Sequence, residues 1–256
     1  LQSTVQQELD MLGRIHTYEE FLQSCQWARE AGFDNINVDL MFAIPGQTCE
    51  SWKHNLETVA ELLPEHISAY SLIIEEGTPF ARKKLILPTE DEEYQMYEDT
   101  AEILRKYGFH QYEISNYARN GFECRHNKGY WQRTEYLGVG LGAASLFQGQ
   151  RFSNTSDMKV YLSDSTDPEK IREDVTTLSG SNEMEEFMFL GLRMTEGISE
   201  RQFERNFGCR IEDIYGSVLT KYKDMDLLEH TGEFWRFTRK GIHVSNPVLA
   251  DFLLDE

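Results

Sequence analysis

The chain has 256 residues, 40% of them hydrophobic, enough to bury one large core and a smaller second one. Its 25 Lys and Arg face 44 Asp and Glu, and the net charge of −19 opposes attraction to phosphate backbones and anionic membranes, so nucleic acid is not an expected partner. No stretch is long and apolar enough to span a bilayer, since the longest candidate, Ile67 to Ile74, carries Ser68, Tyr70 and Ser71.

Leu1 to Glu8 has no Met, no basic region and no apolar signal core, so the expected location is the cytoplasm. The four cysteines, Cys25, Cys49, Cys124 and Cys209, form no C-x-x-C pair and read as reduced, structural thiols. Thr17 with Glu20 is a capping box opening a helix that Gly32 stops. Asn35 to Phe42 reads as a strand ended by Pro45-Gly46, followed by a helix from Cys49 to about Leu63. His66 to Ile74 is a second strand, with Pro79 in the loop after it. Thr89 with Glu92 caps a third helix that ends near Gly108, where the acidic run Glu90 to Glu93 suits the positive end of the helix dipole. Phe109 to Ile114 is the third strand.

Strands that alternate with helices and are mostly apolar predict a parallel sheet covered by helices, part of a β/α barrel. Ligands of such a layout lie at the C-terminal strand ends, here 39–47, 71–79 and 115–131. Asn116 to Thr155 lacks helical periodicity and reads as a long loop region. Asp164 to Pro168 is a turn. From Glu183 on the pattern is helical: Glu183 to Arg193, Ser199 to Phe207 and Ile211 to Lys223, then a short strand at Trp235 to Thr238 and a last helix opened by Pro247. Three helices and a β-wing resemble a winged-helix domain. The segment from Glu183 to the end carries fifteen acidic against nine basic residues, net −6, which excludes DNA reading by that module. The expected domains are therefore 1–178, an α/β partial barrel with a long loop region, and 179–256, a small, mainly helical winged-helix-like domain.

Asp39 inside an apolar strand needs a ligand or a cation if it is buried. The alternative is an outward-facing carboxylate beside Asn37, and the residues alone leave both open. Gly138-Val139-Gly140-Leu141-Gly142 has G-x-G-x-G spacing, which is wrong for a dinucleotide loop, and reads as close backbone packing.

The blocks Leu12-Gly13-Arg14-Ile15-His16-Thr17, Asp39 to Thr48, His66 to Leu72 and Gly77-Thr78-Pro79-Phe80 resemble the oxygen-independent coproporphyrinogen III oxidase superfamily of radical S-adenosylmethionine (SAM) proteins. Tyr112 to Ala118 and Cys124 to Trp131 narrow the resemblance to its HemW-like heme-chaperone branch, over essentially the whole chain. The resemblance implies the distal part of a radical-SAM β/α barrel. It also implies SAM contacts at Gln2, Arg14 and Asp39, with the strand end from Tyr70 to Ile73 lining the same pocket. A guanidinium fork suits the SAM carboxylate, and Gln2 and Asp39 suit its ribose hydroxyls or ammonium. His126-Asn127-Lys128-Gly129-Tyr130-Trp131 matches the branch's His-Asn-x-x-Tyr-Trp motif, which implies heme bound by His126, Tyr130 and Trp131 with His126 as a candidate iron ligand. Without the resemblance these residues also read as a histidine anchored in a loop core.

Two departures matter. Ala144 stands where many members have a His, and the C-x-x-x-C-x-x-C loop that holds the family's [4Fe-4S] cluster does not occur in this chain. In the family that loop lies upstream of the blocks found here, so a truncation or a natural loss is the expectation. The implied function is heme binding and delivery to hemoproteins, with SAM and a cluster as cofactors of the intact protein. The alternative is a coproporphyrinogen oxidase of porphyrin biosynthesis.

Overall fold

A computed structural model describes residues 1–78 and 80–254. Pro79, expected in the loop after the second strand, lies outside the described residues. The chain divides into two compact units, Leu1–Glu123 and Cys124–Glu256. The boundary anticipated after residue 178 falls inside the second unit, at the N-cap Ser179 of a helix.

The first unit runs α1 (Gln6–Met11), α2 (Tyr18–Glu30), β1 (Asn37–Phe42), α3 (Cys49–Glu61), β2 (His66–Ser71), α4 (Glu90–Lys106), β3 (His110–Gln111) and β4 (Asn116–Ala118). Both anticipated capping boxes form, at Thr17 with Glu20 and at Thr89 with Glu92. The sheet order is β1-β2-β4-β3. β1 and β2 are parallel and pair Asn37 with His66 through Phe42 with Ser71, and Gln2 bridges Leu40 in the same sense.

Two expectations about this sheet need correction. The third strand is not a parallel strand from Phe109 to Ile114. It is the two-residue β3, joined to β4 by a tight turn, and a hairpin turn forces antiparallel pairing, as β4 makes with both β3 and β2. Nor are the strands apolar throughout. Val38, Leu40 and Phe42 of β1 are buried, while Asn37, Asp39 and Met41 between them are exposed or half-buried. One face of the sheet therefore packs Val38, Leu40, Phe42, Ile67 and Ala69 against Trp52, Leu56 and Val59 of α3 and Met96, Ile103 and Leu104 of α4. The opposite face is polar. Trp52, fully buried, donates its indole N–H to Met96 O at 2.9 Å and thereby ties α3 to α4.

A second tie is ionic. Glu8 of α1 is 7% exposed. Its carboxylate accepts from Ser3 Oγ at 2.6 Å, Gln47 Nε2 at 3.0 Å, Asn55 Nδ2 at 3.1 Å and the Ser51 hydroxyl. Four neutral donors from the segment before α1, the turn after β1 and the start of α3 take the place of water around one charge.

The second unit contains α5 (Arg125–Trp131), β5 (Ala144–Phe147), β6 (Gln150–Asn154), α6 (Met158–Asp164) and β7 (Arg172–Thr177), followed by α7 (Gly180–Gly191), β8 (Ile198–Ser199), α8 (Glu200–Phe207), α9 (Ile211–Asp224), β9 (Leu228–Thr231), β10 (Phe234–Phe237), α10 (Arg239–His243) and α11 (Ser245–Ala250). The span 116–155 is thus not a structureless loop. It holds β4, α5 and two strands of the antiparallel sheet β5-β6-β7, and at seven residues α5 is too short to show a helical period. The packing reading of the segment 138–142 holds at Gly138, where a Cβ would lie 2.3 Å from Ala144 O, but not at Gly140 and Gly142, which meet nothing within 4 Å and have positive φ instead. The helices α7, α8 and α9 and the sheet β8-β10-β9 enclose a core of Phe187, Met188, Phe203, Tyr215, Leu219, Trp235 and Phe252, in line with the anticipated helices and wing.

Glu8→Ala leaves several buried donors without an acceptor and is expected to cost about 3 kcal/mol or more, at roughly 1–3 kcal/mol per unsatisfied group. Urea denaturation followed by tryptophan fluorescence measures it, and a loss within 0.5 kcal/mol, roughly the range of ordinary surface substitutions, would remove Glu8 as a fold determinant.

Candidate functional site

Side chains opposite one another in paired strands share a face. Asn37 and Asp39 of β1, His66, Ser68 and Tyr70 of β2 and Asn116 of β4 therefore form one polar surface, with Asp39 paired to Ser68 and Ser68 to Asn116. Only Asp39 and Tyr70 among these were anticipated as ligand contacts. The period-2 alternation in Asn37-Val38-Asp39-Leu40-Met41-Phe42 and His66-Ile67-Ser68-Ala69-Tyr70 carries the signal for the rest.

Asn37 and Asp39 do lie together, as the bland reading held, and the contact is specific. Asn37 Nδ2 donates to Asp39 Oδ1 at 2.7 Å. Asn37 Oδ1 accepts from Ser68 Oγ at 3.1 Å and pairs with His66 Nδ1 at 2.6 Å. His66 Nε2 meets the Tyr112 hydroxyl at 2.8 Å. His66 is 3% exposed, and burial pushes its pKa below 6.5 against the opposing pull of Asp39 and Glu123. Tyr70 hydrogen-bonds Asp39, and burial together with that carboxylate pushes its phenol up to about 12, so it remains a donor at neutral pH. Asn116 is 7% exposed, and its buried Oδ1 has no hydrogen-bond partner among the described residues.

The remaining residues of the anticipated SAM set fall nearby to different degrees. Gln2 lies beside Asp39: its N–H donates to Asp39 O at 2.8 Å, and its carbonyl accepts from Met41 N at 2.9 Å. It does so at φ +73°, a conformation that few side chains adopt without compensation. Arg14 is exposed. Ile73 lies beyond the end of β2 and is 74% exposed.

In the second unit the helix α5 separates the anticipated heme residues by its own geometry. His126 and Tyr130 are one turn apart and in edge contact, with ring centroids at 4.4 Å, and Tyr130 in turn contacts Tyr136 at 4.7 Å. His126 is exposed. Trp131 lies under the Arg193 guanidinium at 5.5 Å and lines a cavity of about 440 Å³ with Phe187, Met194, Arg201 and Arg205. Arg133, just after the helix, is anchored to Glu186 of α7 at 3.0 Å, and Arg151 of β6 joins the same carboxylate. This pins α5 to α7 and leaves His126 presented outward.

The chemistry of the donors decides which groups fit. A carboxylate flanked by a phenol, an amide and a backbone bridge suits hydroxyl or ammonium donors. An exposed imidazole on an aromatic edge suits heme iron. An iron–sulfur cluster does not fit this chain's own residues, since among the described residues no three His, Cys, Asp or Glu side chains converge as metal ligands.

His66 yields a prediction with a defined sign. Below pH 6.5 the unfolded chain takes up a proton that folded His66 resists, so stability falls as pH drops, by at most about 1.4 kcal/mol per pH unit. The groups that act on His66 in the fold are Asn37, Asp39, Tyr112 and Glu123. The loss between pH 7.5 and 5.5, from urea titrations, is expected to be smaller in His66→Asn, and an identical loss would show that His66 is not the titrating group.

The family described as the HemN C-terminal domain matches residues 178–244. The heme chaperone HemW of Lactococcus lactis subsp. lactis is 39% identical over 252 residues, covering 97% of this chain and 66% of that protein. HemW of Bacillus subtilis is 36% identical, covering 96% and 66%, and HemW of Haemophilus influenzae is 32% identical, covering 100% and 67%. The chain thus spans about two thirds of the length of these relatives. In fold it is similar to coproporphyrinogen III oxidase (HemN) from Escherichia coli, a radical SAM enzyme, with a TM-score of 0.83, 19% identity and coverage of 99% of this chain and 62% of that one. With relatives of this identity along nearly its full length, the chain belongs to the HemW family of HemN-like radical-SAM proteins.

Proposed function

We propose that this chain is the heme-handling and SAM-contacting portion of a cytoplasmic heme chaperone that delivers heme to hemoproteins. The observation that carries the reading is His126, an exposed imidazole held against Tyr130 on a helix whose far side is anchored by Arg133 and Glu186. Heme is the cargo here: the imidazole offers a nitrogen to its iron while Tyr130 and Tyr136 supply aromatic surface for the macrocycle. The HemW relatives carry the printed description of heme chaperones, which supports the same assignment.

The polar face of the first unit is the proposed SAM surface. Asp39 accepts from a ribose hydroxyl or the ammonium, the Tyr70 phenol fixes that carboxylate, Gln2 and Ile73 border it, and Arg14 meets the SAM carboxylate. A cluster held by residues outside this chain would supply the electron for reductive SAM cleavage. No residue of this chain is assigned a part in that step.

Heme titration followed through the Soret band tests the cargo site. His126→Ala is expected to weaken heme binding about tenfold or more, on the order of 1.4 kcal/mol, and to alter the ligation spectrum; an unchanged spectrum would remove His126 as the ligand. Reconstitution of this chain with iron, sulfide and SAM under reducing conditions is expected to give no 5′-deoxyadenosine, and product above background would overturn the assignment of cleavage to residues outside it.

A further inference from the structure

The hydrogen-bond chain behind Asp39 has a fixed direction. Asn37 donates through Nδ2 to Asp39, so the amide oxygen is its acceptor end. That oxygen receives Ser68 Oγ at 3.1 Å and stands 2.6 Å from His66 Nδ1, which must then carry the proton. With Nδ1 protonated on a neutral ring, Nε2 is bare and accepts from Tyr112 O–H at 2.8 Å. The order Tyr112 to His66 to Asn37 to Asp39 is the one arrangement in which every hydrogen bond has one donor and one acceptor.

Asn37 is exposed, and an exposed amide in water is free to rotate and present its oxygen to Asp39 instead. Such a rotation sets an acceptor against a carboxylate. Two donors converging on Oδ1 prevent it, and of the two the buried imidazole is the more rigid, held from behind by Tyr112 in the turn between β3 and β4. The chain therefore keeps an N–H on Asp39 Oδ1 and, with the Tyr70 phenol on the same carboxylate, leaves the other lone pairs for a ligand.

We infer that His66 is a positioning residue for the ligand carboxylate: through its Nδ1–H it locks the Asn37 amide, and the locked amide orients Asp39 toward the hydroxyl or ammonium donors of SAM. The inference rests on the reading of Asp39 as a SAM contact. Its chemistry also sets what can replace His66, since Asn places an amide N–H where Nδ1 stands, whereas Leu fills the space with no donor. A role in packing alone makes no such distinction.

The test uses SAM itself with the chain, read by saturation-transfer difference NMR so that millimolar binding registers, together with ¹⁵N spectra of the histidine rings. The unmodified chain is expected to bind SAM and to show His66 as the Nδ1–H tautomer. His66→Asn is expected to bind SAM within about threefold of the unmodified chain, and His66→Leu about tenfold more weakly, with heme binding unchanged in both. Equal binding by the unmodified chain and both variants, equal losses in the two variants, or an Nε2–H tautomer each overturns the positioning role alone. Absence of SAM binding by the unmodified chain, with the Nδ1–H tautomer in place, overturns the Asp39 reading and this inference with it.

Discussion

The buried carboxylate of Glu8 is the constraint from which the first unit's site follows. A charge taken out of water costs several kcal/mol unless its lone pairs are satisfied, and here the satisfying groups come from Ser3, Gln47, Ser51 and Asn55. Those residues lie before α1, in the turn after β1 and at the start of α3, so the charge is content only when all three segments are in register. Asn55 extends the tie by accepting from Thr4 Oγ1 at 2.8 Å. The consequence reaches the candidate site directly, because holding Ser3 and Thr4 holds Gln2 against Asp39 and Leu40. A residue with no part in ligand contact thereby sets the place of one that has such a part.

The sheet divides its labour by alternation. Side chains of one parity in β1 and β2 build the core with α3 and α4, and those of the other parity build the polar face, so core and site are fixed by the same register. A one-residue slip of β1 would bury Asp39 and expose Leu40, which makes a misregistered site also an unstable fold. The antiparallel return of β4 completes the face with Asn116, and the preceding turn supplies Tyr112 behind His66.

In the second unit the site depends on anchoring rather than burial. Glu186 of α7 receives Arg133 and Arg151, both partly withdrawn from solvent, and such shared charge-assisted contacts hold better than isolated surface pairs. They fix α5 by its C-terminal end while His126 remains exposed, which an imidazole must be if it is to reach iron in a molecule that arrives from outside. The short helix also sets the division between His126 with Tyr130 on one side and Trp131 at the cavity wall on the other.

The sequence by itself determined the family, the helices α2, α3, α4, α8 and α9 with their starts, and the parallel pair β1 and β2, and it offered Asp39 and His126 as candidate contacts. Capping boxes, glycine stops and motif blocks are local signals, readable wherever a few neighbouring residues settle the outcome. Only the tertiary structure decided that the third strand turns back antiparallel, that HNKGYW lies on a helix, that Glu8 is enclosed by donors, and that His66, Asn37 and Tyr112 form one hydrogen-bonded chain. Those outcomes depend on partners far apart in the chain, such as Ser3 with Asn55 or His66 with Tyr112. Nothing in a buried carboxylate or a lone histidine announces its partner until the strands are in register, because a hydrogen bond is settled by distance in space and not by distance along the chain.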